Sequence, residues 1–207
     1  MKITNMPSGA LGVNTYLVED EKTKKGFIVD PGGYNSALTH KVREDGTDIL
    51  YIILTHGHSD HICGVRGHLA DFPGAKVVAH RAEQPMLEDP DVNMSSAFGT
   101  PEAIEADIWV EDGDRLTAGS LELEFLHTPG HSPGGMCIYL PKEKTLFSGD
   151  TLFCQSVGRT DFPGCSFNEL ADSIHRKLFV LPDKTKVYPG HMGTTTIGFE
   201  KGNNPFV

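Results

Sequence analysis

Four side chains able to bind a metal stand within six positions in Thr55-His56-Gly57-His58-Ser59-Asp60-His61. His56 and His58 are two residues apart, so at the end of an extended segment both rings project to one side, and Gly57 between them allows a tight backbone turn. Asp60 and His61 add an oxygen and a further nitrogen from another direction as the chain enters the next helix. A single tetrahedral site does not need four ligands from one segment, so the cluster predicts two metal ions. A plain turn, with Ser59 or Asp60 capping a helix that begins near Ile62, accounts for Asp60 but not for the three histidines around it.

The run before this loop, Ile49-Leu50-Tyr51-Ile52-Ile53-Leu54, reads as a strand buried on both faces, inside a sheet covered by helices. The strand aims the loop. Similar corners recur downstream in Thr128-Pro129-Gly130-His131, Phe147-Ser148-Gly149-Asp150 and Tyr188-Pro189-Gly190-His191. Each sits just past a predicted strand end, where α/β sheets place their ligands. The repeated Pro-Gly-His suggests two sheets presenting equivalent corners to a shared cleft.

His-x-His-x-Asp-His after a buried strand, followed in order by His131, Asp150 and His191, resembles the metallo-β-lactamase superfamily over nearly all of the 207 residues. The resemblance implies an α/β fold, a four-layer αββα sandwich of two mixed β-sheets flanked by helices. It implies His56, His58 and His131 on a first metal and Asp60, His61 and His191 on a second, with Asp150 bridging. The cofactor is then two divalent ions, zinc first, with iron or manganese as alternatives. Three neutral imidazoles leave a fourth position open for water, the catalytic rather than the structural arrangement. Water between two divalent cations loses its proton near neutral pH and becomes a nucleophile. Asp150 would offset the repulsion of the cations, and Asp60 would accept a hydrogen bond from the nucleophile and fix its direction. A thioester suits such a site because a thiolate leaves without prior protonation. Asp30, in Asp30-Pro31-Gly32-Gly33, either orients a metal-bound histidine or is an ordinary turn aspartate.

Single residues narrow the branch. Ser156-Val157-Gly158-Arg159-Thr160-Asp161-Phe162-Pro163-Gly164, the helix after it and Pro205-Phe206 resemble the short bacterial glyoxalase II-like hydrolases, which cleave hydroxyacyl-glutathione. That resemblance puts Arg159 where a basic side chain contacts the thiol's carboxylate. The chain departs from the full-length pattern: it lacks the C-terminal helical domain, and Gly193 stands where a substrate-binding tyrosine is usual, so another acyl thiol can be the substrate. β-Lactamases carry a basic residue where His61 stands, commonly a cysteine where Asp150 stands, and an export signal. Oxygen-reducing flavoproteins of the superfamily carry a glutamate in place of His58. The rival of another class is a persulfide dioxygenase, which shares Gly158-Arg159-Thr160-Asp161-Phe162 and holds one iron; a metal-binding module without turnover is the third reading.

The length fits one domain over residues 1–207, large enough to bury roughly 70% of the extended chain's surface. A net charge of -10 and a pI near 5.4 disfavour a nucleic-acid partner. No stretch has the length of a membrane span, and residues 1–7 carry no signal-peptide pattern. Cys63, Cys137, Cys154 and Cys165 show no paired spacing, so a cytoplasmic protein with reduced thiols is expected, and the resemblance implies a small acyl thiol as its partner. The oligomeric state has no signature here.

These residues need a scaffold. Residues 12–19 and 26–30 read as a hairpin about a turn at 20–25, and Asn35 or Ser36 caps a helix to about residue 44. A helix over 62–72, a strand over 76–79 and a short helix over 81–87 follow. Residues 88–106 have no period and form a long loop, a candidate lid, with Met86, Met94 and Phe98 free to line an apolar pocket. Strands are expected at 108–110, 115–116, 121–126, 136–140, 145–147 and 185–188. Ser166 and Glu169 form a capping box for a helix reaching Leu178, with Leu170, Ile174 and Leu178 on one face. His40, His68, His80, His127 and His175 read as structural or solvated.

Overall fold

The computed structural model describes residues 1–98 and 100–207. Six strands, β1 (Lys2–Asn5), β2 (Tyr16–Asp20), β3 (Lys25–Val29), β4 (Asp48–Ile53), β5 (Lys76–His80) and β6 (Ile108–Val110), lie side by side in chain order. The pairs from β1 to β3 are antiparallel and those from β3 to β6 parallel. The second half supplies β7 (Arg115–Ala118), β8 (Leu121–His127), β9 (Met136–Leu140), β10 (Thr145–Gly149), β11 (Leu152–Phe153), β12 (Ser156–Val157), β13 (Lys186–Pro189) and β14 (Thr195–Thr196). Of these, β11 and β12 form a small separate ladder, and the rest make a sheet ordered β14-β13-β10-β9-β8-β7. Both large sheets are mixed, because β13 joins β10 in parallel while its other neighbours run antiparallel.

The two sheets pack through a shared inner core in which Tyr16, Val18, Phe27, Val29 and Ile53 meet Leu123, Phe125, Ile138, Leu140 and Phe147. Period-two alternation in β8 explains its orientation: Leu121, Leu123 and Phe125 are buried, whereas Glu122 and Glu124 reach Arg115 on the outside. On β4 both faces are covered, as its apolar run predicts. Ile53 points into the inner core, and Ile49 and Ile52 point outward to Leu38, Val42 and Val65 of α1 (Ser36–Asp45) and α3 (Val65–Asp71). Over the other sheet, Leu170, Ile174, Leu178 and Ile197 cover Cys137, Leu146 and Val187. They come from α5 (Phe167–Ser173), the π-helical turn Ile174–Leu178 that continues it, and α6 (Ile197–Asn203). The order is helix, sheet, sheet, helix, the four layers expected. Burying one such Leu or Ile is worth about 1.5–3 kcal/mol, so the outer helices are held by their apolar stripes.

The caps expected at Asn35 and Ser166 form, but the capping box is corrected to its Ser166 half, since the Ser166 N–H donates to Gly130 O at 2.8 Å and not to Glu169. Asn35 Oδ1 accepts from the N–H groups of Ala37 and Leu38, and Ser166 Oγ from that of Glu169. The expected helix over 62–72 is corrected to two: α2 (Ser59–Ile62), which starts earlier and contains Asp60 and His61, and α3. The break falls at Cys63-Gly64, where the Gly64 N–H leaves the helical ladder to donate to Pro31 O at 2.7 Å. The helix over 81–87 is a 3-10 turn (Arg81–Glu83) followed by α4 (Gln84–Leu87). Residues 88–106 are more ordered than expected: Asn93 and Ser95 are buried, Asn93 Nδ2 donates to Glu102 O at 2.8 Å, and Ser96–Phe98 form a turn. Of the candidate lid, Gly99 lies outside the described residues. Strands β1, β11, β12 and β14 and helix α6 were not anticipated; Gly198 and Gly202 interrupt the period of α6, and Thr196 caps it. Among the described residues no helix is long and apolar enough to cross a membrane.

Candidate metal centre

All seven ligand-type residues converge at one end of the two sheets. Leu54 and Thr55 follow β4, His56 to His58 form the loop, and α2 carries Asp60 and His61. From the other sheet, the turns after β8, β10 and β13 deliver His131, Asp150 and His191. Three sets of ligand atoms each lie within 4.8 Å of one another: His56, His58 and His131; His56, His61 and Asp150; and Asp60, His61 and His191. The first and third sets contain the residues of the two triads expected from the sequence; the second, His56, His61 and Asp150, runs across them. Asp150 stands between the triads, with Oδ1 3.4 Å from His61 Nε2 and Oδ2 3.7 Å from both His131 Nε2 and His191 Nε2. Gly190 must be small here, because a Cβ on it would meet Asp150 Oδ1 at 2.4 Å and His61 Cε1 at 2.6 Å.

The donor atoms fit divalent cations. His131 Nε2 lies 3.0 Å from His58 Nδ1 and 3.3 Å from His56 Nε2. Metal–nitrogen bonds of about 2.0–2.1 Å arranged tetrahedrally separate nitrogens by about 3.3 Å, so the contacts match the edges of one coordination shell. In addition, His61 Nε2 and Asp150 Oδ1 are buried without a hydrogen-bond partner, and each is a lone-pair atom turned into the cluster.

Protonation follows from surroundings. Desolvation holds His56 well below its ordinary value, aided by the neighbouring His61, His131 and His58. The same two causes bring His58 down to about 3, and burial lowers His131. Three neutral imidazoles therefore offer lone pairs to a cation. Burial opposes the charged form of His61, but the carboxylates of Asp150 and Asp30 outweigh it and raise its pKa. His191 is raised by its hydrogen bond to Asp60 Oδ2 at 3.2 Å. For Asp60 and Asp150 burial acts upward, yet the surrounding histidines keep both carboxyls below the usual range.

A second layer of contacts sets the tautomers. His61 Nδ1 lies 2.9 Å from Asp30 Oδ2, so Asp30 takes the orienting position rather than that of a turn residue alone. The Thr55 hydroxyl donates to the same carboxylate at 2.6 Å and stands 3.2 Å from His56 Nδ1. His131 Nδ1 donates to the main-chain carbonyl of Arg159 at 2.8 Å. Asn14 grips the last corner, its N–H donating to Gly190 O and its side-chain amide to Pro189 O and Met192 O. Sequence reasoning passed over Thr55 and Asn14, whose residue types carry no signal until the chain is folded.

A cavity of about 430 Å³ opens onto the cluster, reaching His58, Asp60, His131, Asp150 and His191. Its walls are apolar. Met94 and Phe98 line it as foreseen, with Phe153 and Phe162, whereas Met86 is buried beside Gly57. Arg159 also lines it, but its guanidinium is engaged: Nε and Nη2 each donate to Asp161 at 2.6 Å, and Cζ sits 4.1 Å over the Phe162 ring. A hollow of about 480 Å³ beside β13 and β14 contains none of the seven residues.

Residues 8–191 match the family model of the metallo-beta-lactamase superfamily. The chain is 37% identical to the probable metallo-hydrolase YqgX of Bacillus subtilis (strain 168) and 34% identical to the hydroxyacylglutathione hydrolase GloC of Haemophilus influenzae (strain ATCC 51907 / DSM 11121 / KW20 / Rd), covering all of this chain and 98% of each relative. Among solved structures it is similar to BLEG-1 B3 metallo-beta-lactamase (TM-score 0.92, 41% identity, 99% of both chains). It is also similar to TTHA1623 in a di-iron-bound form (TM-score 0.86, 35% identity, 99% of this chain and 100% of that one). ETHE1 from Myxococcus xanthus follows at TM-score 0.79 and 28% identity, over 99% of this chain and 84% of that one.

Proposed function

The chain belongs to the metallo-beta-lactamase superfamily, and from that premise we propose that this metallo-hydrolase cleaves a thioester, hydroxyacyl-glutathione or a related small acyl thiol. The observation that carries the reading is the pair of triads sharing Asp150 at the floor of an apolar cavity of small-molecule size. A pair of divalent cations held there, zinc first, would turn water into a nucleophile near neutral pH and polarise the carbonyl under attack.

The chain's own groups do the rest. His56, His58 and His131 would hold one cation and Asp60, His61 and His191 the other, with Asp150 placed between the two triads. Asp60 faces the cavity, so the carboxylate oxygen not spent on the cation can accept from the attacking water and aim it. Phe153, Phe162 and Met94 wall the acyl group and exclude bulk water, which strengthens every electrostatic contact inside. A departing thiolate needs no proton, which agrees with the absence of a further acid among the described residues lining the cavity. The likeness to GloC supports a glutathione thioester. Arg159 would contact the thiol's carboxylate, although Asp161 competes for it.

Two observations favour other chemistries. The Gly158-Arg159-Thr160-Asp161-Phe162 segment and the likeness to ETHE1 support oxidation of a persulfide at iron; the 41% identity to a structure named a B3 metallo-beta-lactamase supports β-lactam hydrolysis. The deciding experiment loads metal-stripped protein with zinc or with ferrous iron. It reads thiol release from lactoylglutathione and other acyl thiols, oxygen uptake with glutathione persulfide, and opening of a β-lactam. Thiol release by the zinc form supports the proposal; oxygen uptake or β-lactam opening without any thiol release overturns it.

A further inference from the structure

Glu83 is a buried carboxylate, 1% exposed, far in sequence from every ligand-type residue of the centre. Its Oε1 accepts from the Gly57 N–H at 2.8 Å and its Oε2 from the Gly134 N–H at 2.6 Å. Gly57 is the residue between His56 and His58, and Gly134 lies three residues after His131. One carboxylate thus joins the two loops that carry a single triad, although one loop leaves the first sheet and the other the second.

The packing around it leaves little slack. A Cβ on Gly134 would meet the Glu83 N atom at 2.2 Å, and one on Gly57 would meet Met86 Cγ at 3.0 Å. Both loops therefore rest on residues 81–87, with the carboxylate as the joint between them. The other triad has its own supports, Asn14 at the turn bearing His191 and Asp30 at His61, although Asp30 also reaches back to Thr55 beside His56. Among the described residues no Lys or Arg is a hydrogen-bond partner of Glu83; the main-chain N–H groups of the two loops meet its carboxylate directly.

We propose that Glu83 is a positioning residue for the His56, His58 and His131 triad, setting the distance between the loop of His56 and His58 and the loop of His131. The inference rests on those three residues holding a cation and on no particular substrate. Glu83→Gln tests it well, since the amide keeps one acceptor but turns a donor toward an N–H at the other loop, so one of the two links must break.

The experiment titrates Co²⁺ into metal-stripped full-length protein against a competing chelator, following binding at the two sites by calorimetry and the visible spectrum. Thermal unfolding of the metal-free protein serves as the fold check. Glu83→Gln is expected to weaken one site by about 10- to 100-fold and leave the other within about 2-fold, with its spectrum altered at the weakened site. Two unchanged affinities, or equal losses at both sites, overturn the proposal. Should Glu83→Gln not fold, Glu83→Asp keeps both acceptors on a shorter arm and is expected to give the same one-sided loss; a symmetric loss or none there refutes it equally. Activity assays on zinc-loaded protein are a separate matter: a protein that cleaves no thioester but shows the one-sided loss removes the proposed substrate and keeps Glu83.

Discussion

Asp30 Oδ2 and His61 Nδ1 stand 2.9 Å apart in the interior, and the contact decides which ring nitrogen of His61 is free. A carboxylate can only accept, so Nδ1 carries the hydrogen and Nε2 presents its lone pair toward Asp60, Asp150 and His191. Asp30→Asn preserves size and tolerates the positive φ of 47° at this position, yet its amide would donate and push the proton to Nε2. Zinc affinity at the Asp60, His61 and His191 triad should fall about 10- to 100-fold in calorimetric titration, with a smaller loss at the other site, which the same carboxylate reaches only through Thr55. Equal affinities in the variant and the parent protein would remove the tautomer argument.

Metal removal gives the second expectation. Each triad draws a histidine from a distant turn, His131 or His191, and is complete only in the folded chain, so occupancy would stabilise the fold by mass action. At free zinc about 100 times the dissociation constant, each site adds about 2.7 kcal/mol. Dialysis against a chelator should therefore lower the melting temperature and abolish thioester cleavage, and zinc should restore both. Activity that survives complete chelation would place the chemistry elsewhere.

Much of this centre is legible in the sequence because its ligands are strongly typed and sit next to strand ends. Ile49 to Leu54 is apolar throughout, so β4 and the His56 loop after it follow from pattern alone, and the turns at His131, Asp150 and His191 follow by analogy. What holds the ligands is less visible. Glu83 reads as a polar residue of a short helix, and Asn14 as one of several polar residues in the N-terminal segment, until long-range folding brings Gly134 and Pro189 against them. Helix α6 is hidden because two glycines break its apolar spacing, and the break between α2 and α3 is hidden because the pull of Pro31 O on Gly64 is a tertiary effect.

The joint between the sheets at Asp20 predicts an acid sensitivity distant from the centre. Its carboxylate accepts from Thr23 Oγ1 and Lys22 N in its own turn and from Ser120 N and Oγ in the opposite sheet. The hydrogen bonds from Thr23 and Ser120 hold its pKa well below the ordinary carboxylate value. A folded pKa below the unfolded one means stability that is fully present above the unfolded value of about 3.9 and is lost as pH falls from there toward the folded pKa. Asp20→Ala should cost on the order of 2 kcal/mol at pH 7, and urea midpoints should bring variant and parent together below pH 4. A gap that stays constant from pH 7 to pH 3 would rule the carboxylate out as its source.

Substrate choice should turn on Asp161. The Arg159 guanidinium is the one cation among the described residues lining the cavity, and Asp161 meets it with two hydrogen bonds at 2.6 Å. Both side chains are largely exposed, so the pair itself adds little to stability, and a substrate carboxylate can exchange with Asp161 at little cost. Asp161→Asn removes the competitor while leaving Arg159 over the Phe162 ring. The KM for a glutathione thioester should then fall roughly 2- to 5-fold, the range that such a pair's energy allows, while an uncharged thiol ester with the same acyl group should show little change. Arg159→Gln should act in the opposite direction on the glutathione ester alone. Melting temperatures of both variants should match the parent, since neither touches the core. Equal shifts for charged and uncharged esters would mean that the pair shapes the cavity without reading the charge of the thiol.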